Sequence, residues 1–184
     1  MCIRDRAGTA YRGRYWQILG GHPPLPGIKA LPLFLTPGDY QVSAPGGAGV
    51  GAFGTTIRVE SPLIWRNRKQ LGDVDRTRGA TVTWLSPARP DSKVIVIVAM
   101  NQDSQSGALG VCACLAKASS GTFQIPPYAL ANIPPTPAHP RGFPLNLIML
   151  LELPEVPVTA ATGTGVDRVL AFAASISGRT VQFK

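Results

Sequence analysis

The fold is decided by GATVTWL at Gly79–Leu85 and, after the polar break SPARPDS, by KVIVIVAM at Lys93–Met100. The first segment places Ala80, Val82 and Trp84 on one face of an extended chain, and this period of two is typical of a half-buried strand. The second segment is a continuous β-branched run, which indicates a strand covered on both faces. Together they predict two strands of a β-sandwich core.

Similar short segments lie on both sides of this pair. The predicted strands are Lys29–Leu35, Asp39–Ala44, Thr55–Val59, Ala108–Leu115, Gly121–Ile125, Leu145–Leu153, Val156–Ala160, Val166–Ser177 and Thr180–Lys184. Leu145–Leu153 also allows a helix because it is rich in leucine, and Tyr128–Ile133 predicts one helical turn. The 18 prolines disfavour helix interiors. We therefore predict an all-β protein, an antiparallel sandwich of about ten short strands.

The composition limits the kinds of partner molecule that the protein is expected to bind. The chain has 184 residues, 45% of them apolar, and a net charge of +8. The basic residues are scattered apart from Arg66, Arg68 and Lys69, and no nucleic-acid-binding motif accompanies them. We expect no nucleic-acid partner and no transmembrane segment, since no window of about 20 apolar residues occurs. Anionic cell-surface polymers or polysaccharides fit the same charge.

The first six residues are not expected to belong to the natural protein. MCIRDR at Met1–Arg6 resembles the translation of a sequencing adapter at the start of a metagenomic fragment, so we expect residues 1–6 to be an artefact. Residues 7–27 are interpreted as a truncated N-terminal arm or the end of a preceding domain. Residues 28–184 are interpreted as the β-sandwich domain.

An ordered series of motifs resembles a known family. The series is TPGDYQVSAPGG at Thr36–Gly47, VGAF at Val50–Phe53, PLIWRN at Pro62–Asn67, VDRTRGATVTW at Val74–Trp84, TFQIPPYAL at Thr122–Leu130 and NIPP at Asn132–Pro135. Over about residues 35–184 the chain is similar to secreted, β-rich bacterial proteins of uncharacterised activity, whose C-terminal region is Ig-like. Cys112 departs from the family's single cysteine.

The resemblance implies an Ig-like β-sandwich in the extracellular space or on the cell surface, with no catalytic residue to carry over. We expect a non-enzymatic structural or adhesion module. The alternative is a carbohydrate-binding accessory module of an extracellular enzyme, and a third idea is a fragment of an enzyme whose active site lay in the missing N-terminal part.

Candidate ligand-binding residues are few: Trp65, Arg66, Arg68 and Tyr128. Trp65, beside Arg66 and Asn67, is a better candidate for exposure than Trp84, although core packing is favoured for both tryptophans. We assign no catalytic, metal-binding or cofactor-binding residue. GVGAFG at Gly49–Gly54 matches a nucleotide-binding pattern in form only, because strand-forming residues follow it where a helix would be required.

The remaining polar and sulfur-bearing candidates favour structural roles. Cys112 and Cys114 would share one face of a strand. Their Cα atoms would be nearly 7 Å apart, which is at the limit for a disulfide. We interpret them as small buried hydrophobes. The other candidates are expected to be loop histidines and surface carboxylates rather than a catalytic pair or a calcium site: His22, His139, Asp73, Asp75 and Asp103.

Overall fold

The computed structural model describes residues 2–4, 10–12, 35–48, 51–103, 105–138, 145–156, 158–160 and 169–184. The predicted strand at Lys29–Leu35 lies almost wholly outside these residues, as do His22 and His139. The strands are β1 Cys2–Arg4, β2 Ala10–Arg12, β3 Gly38–Ala44, β4 Phe53–Val59, β5 Ile64–Trp65, β6 Asp73–Val74, β7 Ala80–Leu85, β8 Lys93–Gln102, β9 Leu109–Lys117, β10 Thr122–Ile125, β11 Leu147–Pro154, β12 Val158–Ala160, β13 Val169–Ala171, β14 Ser175–Thr180 and β15 Gln182–Phe183.

Helical structure in the described residues is short. Two 3-10 turns span Pro90–Ser92 and Ala118–Ser120, and helix α1 spans Pro127–Leu130. None of the described helices has the length and apolar character needed to cross a membrane. The prediction of an all-β protein is confirmed.

Two antiparallel sheets enclose the core. One has the strand order β14-β11-β8-β9, and the other has the order β10-β7-β5. The buried cluster takes Trp65, Val82 and Trp84 from the smaller sheet and Ile97 and Leu150 from the larger one. The arrangement is therefore sandwich-like, with apolar side chains of the two sheets meeting between them.

The pattern of β7 agrees with the prediction. Ala80, Val82 and Trp84 are buried, whereas Thr81 and Leu85 are exposed. The indole Nε1 of Trp84 donates a hydrogen bond to the carbonyl of Ala118, 2.8 Å away. Because Ala118 directly follows β9, this bond connects the smaller sheet to the edge of the larger one.

The prediction that β8 is covered on both faces is confirmed for one face and wrong for the other. Ile95, Ile97 and Ala99 are fully buried, as expected of a central strand. Val96 and Val98, which point to the opposite face, are only partly buried. A β-branched run therefore does not by itself establish that both faces of a strand are covered.

The leucine-rich segment adopts the strand alternative. β11 pairs in antiparallel register with β8 and with β14 along its length. Ile148, Leu150 and Glu152 are buried, whereas Met149 and Leu151 are less covered. The face of β11 with the odd-numbered leucines is thus the one that points away from the core.

The N-terminal sheet is antiparallel and has the strand order β2-β1-β3-β4, so the chain passes from β2 to β3 across β1. β3 and β4 pair in full register, and Arg58 forms an ion pair with Asp39 across them at 3.1 Å. The last two residues of GVGAFG, Phe53 and Gly54, begin β4, so the residues that follow the motif form a strand, as predicted.

Gly110 in β9 allows two segments to approach closely. A Cβ atom at this position would overlap the carbonyl oxygen of Asn132 and lie 2.6 Å from the Cα of Ile133. Both neighbours are backbone atoms, which cannot rotate away. Only glycine fits here without moving the segment after α1.

We predict that Gly110→Ala destabilises the protein by about 1–3 kcal/mol because it overpacks a site bounded by backbone. Chemical denaturation would measure the loss. Gly72→Ala is the matched control, since nothing lies within 4 Å of a Cβ there. Equal stabilities for the two variants would contradict the close approach.

Candidate functional site

Trp65 belongs to the core. Its side chain is 6% exposed, and it pairs with Trp84 across β5 and β7. Its Nε1 donates to Oδ1 of Asn67 at 2.9 Å, and the same oxygen accepts from the amide of Thr83. The indole therefore has no free face on which a sugar ring could stack.

The other sequence-predicted ligand residues do not gather around Trp65. Arg66 is exposed, whereas Arg68 donates from Nε to the carbonyl of Gly178 at 2.8 Å and so anchors the turn after β5. Tyr128 is 80% exposed on α1. The strand before it, β10, ends beside Ala80, whereas Trp65 pairs at the opposite end of β7, about 13 Å along the strand.

The acidic residues considered for calcium stabilise turns or surface pairs. Asp75 accepts from the amide and hydroxyl of Thr77, at 2.9 and 2.6 Å, and these bonds lower the pKa of Asp75. Hydrogen bonds from Ser106 and Gln105 lower the pKa of Asp103 in the same way. Among the described residues, no group of three or more His, Cys, Asp or Glu side chains converges.

Cys112 and Cys114 are free thiols on the inward face of β9, where they pack against the core. Burial raises the pKa of both thiols, and the neighbouring Cys114 raises that of Cys112 further. A raised pKa keeps a thiol protonated and unreactive at neutral pH. Their environment is that of small hydrophobic side chains.

The outward face of the larger sheet is apolar over β9, β8 and β11 and at Ile176 of β14. Leu115 of β9 is 65% exposed and lies beside Val96 of β8, which lies beside Leu151 of β11, followed by the exposed Ile176 of β14. We call this surface the outer sheet face; its members are Leu109, Val111, Ala113, Leu115, Val94, Val96, Val98, Met100, Met149, Leu151, Leu153 and Ile176.

Among the described residues, no charged side chain lies between the apolar members of the outer sheet face. The strand register places Gln102 beside Leu109 at one end of β9 and Lys117 beside Val94 at the other. Soluble monomers rarely expose contiguous apolar patches larger than a few hundred Å², and larger ones mark contact sites. The sequence shows the alternation in β9, but it does not show which set of side chains points outward.

A charged cluster lies on the inward side, at the end of β8 and β11. The ammonium of Lys93 contacts Oε2 of Glu60 and Oε1 of Glu152, and Arg89 contacts Oε1 of Glu60. All of these side chains except that of Arg89 are almost fully buried. The sequence does not reveal the cluster because its members are distant along the chain: 29 residues separate Glu60 from Arg89, and 59 separate Lys93 from Glu152.

Ion pairing governs the protonation of the cluster. Burial alone would lower the pKa of Lys93, but hydrogen bonds to Glu152 and Glu60 outweigh it and raise that pKa. Burial likewise opposes the shift at Glu60, yet Lys93 and Arg89 together lower its pKa. The two residues are therefore charged at neutral pH.

The cluster opens onto a cleft of about 490 Å³ between the end of β4, the turn at Pro90–Ser92, the end of β11 and the residues after β13. Its wall includes the exposed side chains of Val156 and Phe172. The backbone at Arg89, on the rim of this turn, has φ 53°, a rare value for a residue other than glycine.

Comparison of the chain with protein-family profiles, with curated proteins and with solved structures finds no match.

We predict that Trp65→Ala destabilises the protein by about 3–5 kcal/mol, because it opens a cavity and removes the indole donor from Asn67. Equilibrium denaturation would measure the effect. Tyr128→Ala, at an exposed aromatic residue, should leave stability within about 0.5 kcal/mol of the unchanged protein. Similar losses in both variants would contradict the difference in burial.

We predict that Glu60 contributes stability above its ordinary pKa of 4.5 and that this contribution is lost as the pH falls through its lowered folded pKa. Thermal unfolding of the unchanged protein and of Glu60→Gln would be compared over acidic and neutral pH. The gap between them should be widest near neutrality and narrow in acid. A gap that does not change with pH would contradict this assignment.

Proposed function

We propose that the chain is a non-enzymatic structural module that associates with a second copy of itself through the outer sheet face. The observation that carries the proposal is the continuous, uncharged apolar surface across β9, β8, β11 and β14. Burial of apolar surface is the main driving force of protein association. Contact between the outer sheet face and a second copy would bury apolar surface of this kind.

The charge distribution of the protein favours a second copy of the chain as the partner of the outer sheet face. The protein carries a net charge of +8, so most of its surface would repel a copy of itself. The outer sheet face carries no charge, and two such faces brought together place no like charges opposite each other. Two sheets also pack naturally face to face, about 10 Å apart.

The area of the outer sheet face is also consistent with a second copy of the chain as its partner. The twelve residues of the outer sheet face, about 4.8 Å apart across the strands and about 6.7 Å apart along them, give an apolar centre of roughly 400 Å². A stable interface buries about 800 Å² per partner, with an apolar centre and a polar rim. The outer sheet face thus supplies the centre, and side chains such as Lys117 and Gln102 supply the rim.

We predict that the purified protein is a dimer and that Leu115→Lys and Val111→Lys convert it to a monomer, because each would bury an unpaired ammonium. Sedimentation velocity over a concentration series would measure the state. Thr81→Lys is the matched control, since it adds the same charge at an exposed position of the smaller sheet. A protein that is monomeric throughout, or lysine variants that dimerise like the control, would overturn the proposal.

We further propose that the fold is an Ig-like β-sandwich and that the parent protein is secreted or displayed on the surface of a bacterium. The support is the motif series over residues 35–184 together with the sandwich-like pair of sheets. Fractionation of the producing cells with an antibody against this chain would test the location. Recovery in the cytosol alone would contradict it.

A further inference from the structure

The strand β9 forms one edge of the larger sheet, and its outer side carries unpaired backbone groups. The amide of Asp103 donates to the carbonyl of Ala108 at 2.8 Å, which continues the β8–β9 ladder as a hydrogen-bonded pair. Hydrogen-bonded and non-hydrogen-bonded pairs alternate along an antiparallel ladder. The odd-numbered residues of β9 therefore direct their N–H and C=O groups away from β8. Within the described part of the chain, those from Leu109 to Leu115 have no backbone partner for these groups.

The two edges of the larger sheet differ in how they are protected. At the edge formed by β14, Arg68 donates from Nε to the carbonyl of Gly178. β9 is nine residues long, its register with β8 has no bulge, and it holds no proline and no charged residue before Lys117. Bulges, prolines and charges are the usual means of blocking an edge strand. β9 is therefore an open template for a further strand.

The inward face of β9 is also incompletely covered. Cys112, Cys114 and Ala116 pack against the core but are only partly buried. Ile97, on the adjacent central strand, is 1% exposed. A further strand about 4.8 Å beyond β9 would cover the remaining exposed part of these inward side chains.

The sequence of β9 is complementary to itself in antiparallel orientation. The segment LGVCACLAK has Ala113 at its centre. A two-fold axis at Ala113 would place Val111 opposite Leu115 of a second copy, and Lys117 opposite Leu109. These would all be hydrogen-bonded pairs, because the odd-numbered residues carry the outward groups. The two Lys117 ammonium groups would lie at opposite ends of the pair, so no like charges would face each other.

We propose that β9 pairs in antiparallel orientation with β9 of a second copy, about a two-fold axis at Ala113, and so joins two larger sheets into one continuous sheet. This contact goes beyond the packing of the outer sheet face, because it uses backbone groups in the plane of the sheet rather than side chains perpendicular to it. A contact along one strand is smaller than a standard interface of about 800 Å² per partner. Edge pairing therefore joins the face-to-face dimers at higher protein concentration.

Sedimentation velocity of Met149→Lys over a concentration series measures the edge contact alone. Met149 lies in the outer sheet face and pairs with β8 and β14 rather than with β9, so the added ammonium disrupts only the face-to-face contact. We expect a monomer–dimer equilibrium. Adding Ala113→Pro should weaken this equilibrium by about tenfold or more, because proline removes the central N–H, which does not bond to β8. Ala113→Val keeps that N–H and is the matched control.

The native cysteines test the register. In the proposed pair Cys112 faces Cys114 of the second copy at a non-hydrogen-bonded position, with Cα atoms about 4.5 Å apart, which is within the range of about 4.4–6.8 Å for a disulfide. Diamide would be the oxidant, since it takes up the two protons and two electrons that two thiols lose. The reaction is run at about pH 9, because burial raises the pKa of both thiols.

Cross-linking is compared in chains that carry Cys2→Ser, which removes the third cysteine. Cys112→Ser and Cys114→Ser should each form no disulfide-linked dimer alone. An equimolar mixture of the two should form one, because the mixed pair restores one Cys112–Cys114 contact. A different register would instead cross-link one of the single variants with itself.

The proposal is overturned if Met149→Lys is monomeric at every concentration, if Ala113→Pro associates like Ala113→Val, or if the mixed cysteine variants associate without cross-linking. Failure of the edge contact is distinguishable from failure of the outer sheet face. Ala113→Pro in the otherwise unchanged protein should keep the face-to-face dimer. A protein whose association is lost in Ala113→Pro and unaffected by Met149→Lys would support the edge contact and contradict the face-to-face dimer.

Discussion

The packing of the two sheets depends on Trp84. Its indole is buried between them, and its only polar atom is satisfied by the carbonyl of Ala118, at the end of the opposite sheet. A buried indole N–H without an acceptor would be costly, so this hydrogen bond fixes the position of the chain after β9. Ala118 is itself fully buried, which leaves little freedom in how β9 approaches the core.

The orientation of β9 follows from that constraint. Ala118 continues the inward set of Cys112, Cys114 and Ala116, and successive strand residues alternate between faces. Small side chains therefore face the core, and the larger Leu109, Val111 and Leu115 face outward. Gly110 is consistent with the same geometry, since the segment after α1 lies directly against it. The outer sheet face is thus a consequence of how the core closes.

The end of the inter-sheet space is closed by charge rather than by apolar side chains. Lys93 and Glu152 lie on the inward faces of adjacent strands, two residues apart in the register, and Glu60 lies in the loop after β4. Buried charges are tolerated only when they are paired, and here each carboxylate has the same ammonium as a neighbour. Because one ammonium serves two carboxylates, one oxygen of Glu152 is left buried without a hydrogen-bond partner among the described residues.

The all-β class, the burial of one face of β7 and the extended β4 after the glycines follow from the sequence, because period-two alternation and turn residues are local signals. The burial of the β9 cysteines was expected from their chemistry, but the alternation of β9 does not show that its leucines are left facing outward, since alternation is the same for either choice. Core packing was favoured for Trp65 although its charged neighbours kept it a candidate for exposure, and pairing with Trp84 buries it. The Glu60–Lys93–Glu152 cluster was decided only by tertiary structure, because strand pairing brings together residues that are distant in the chain.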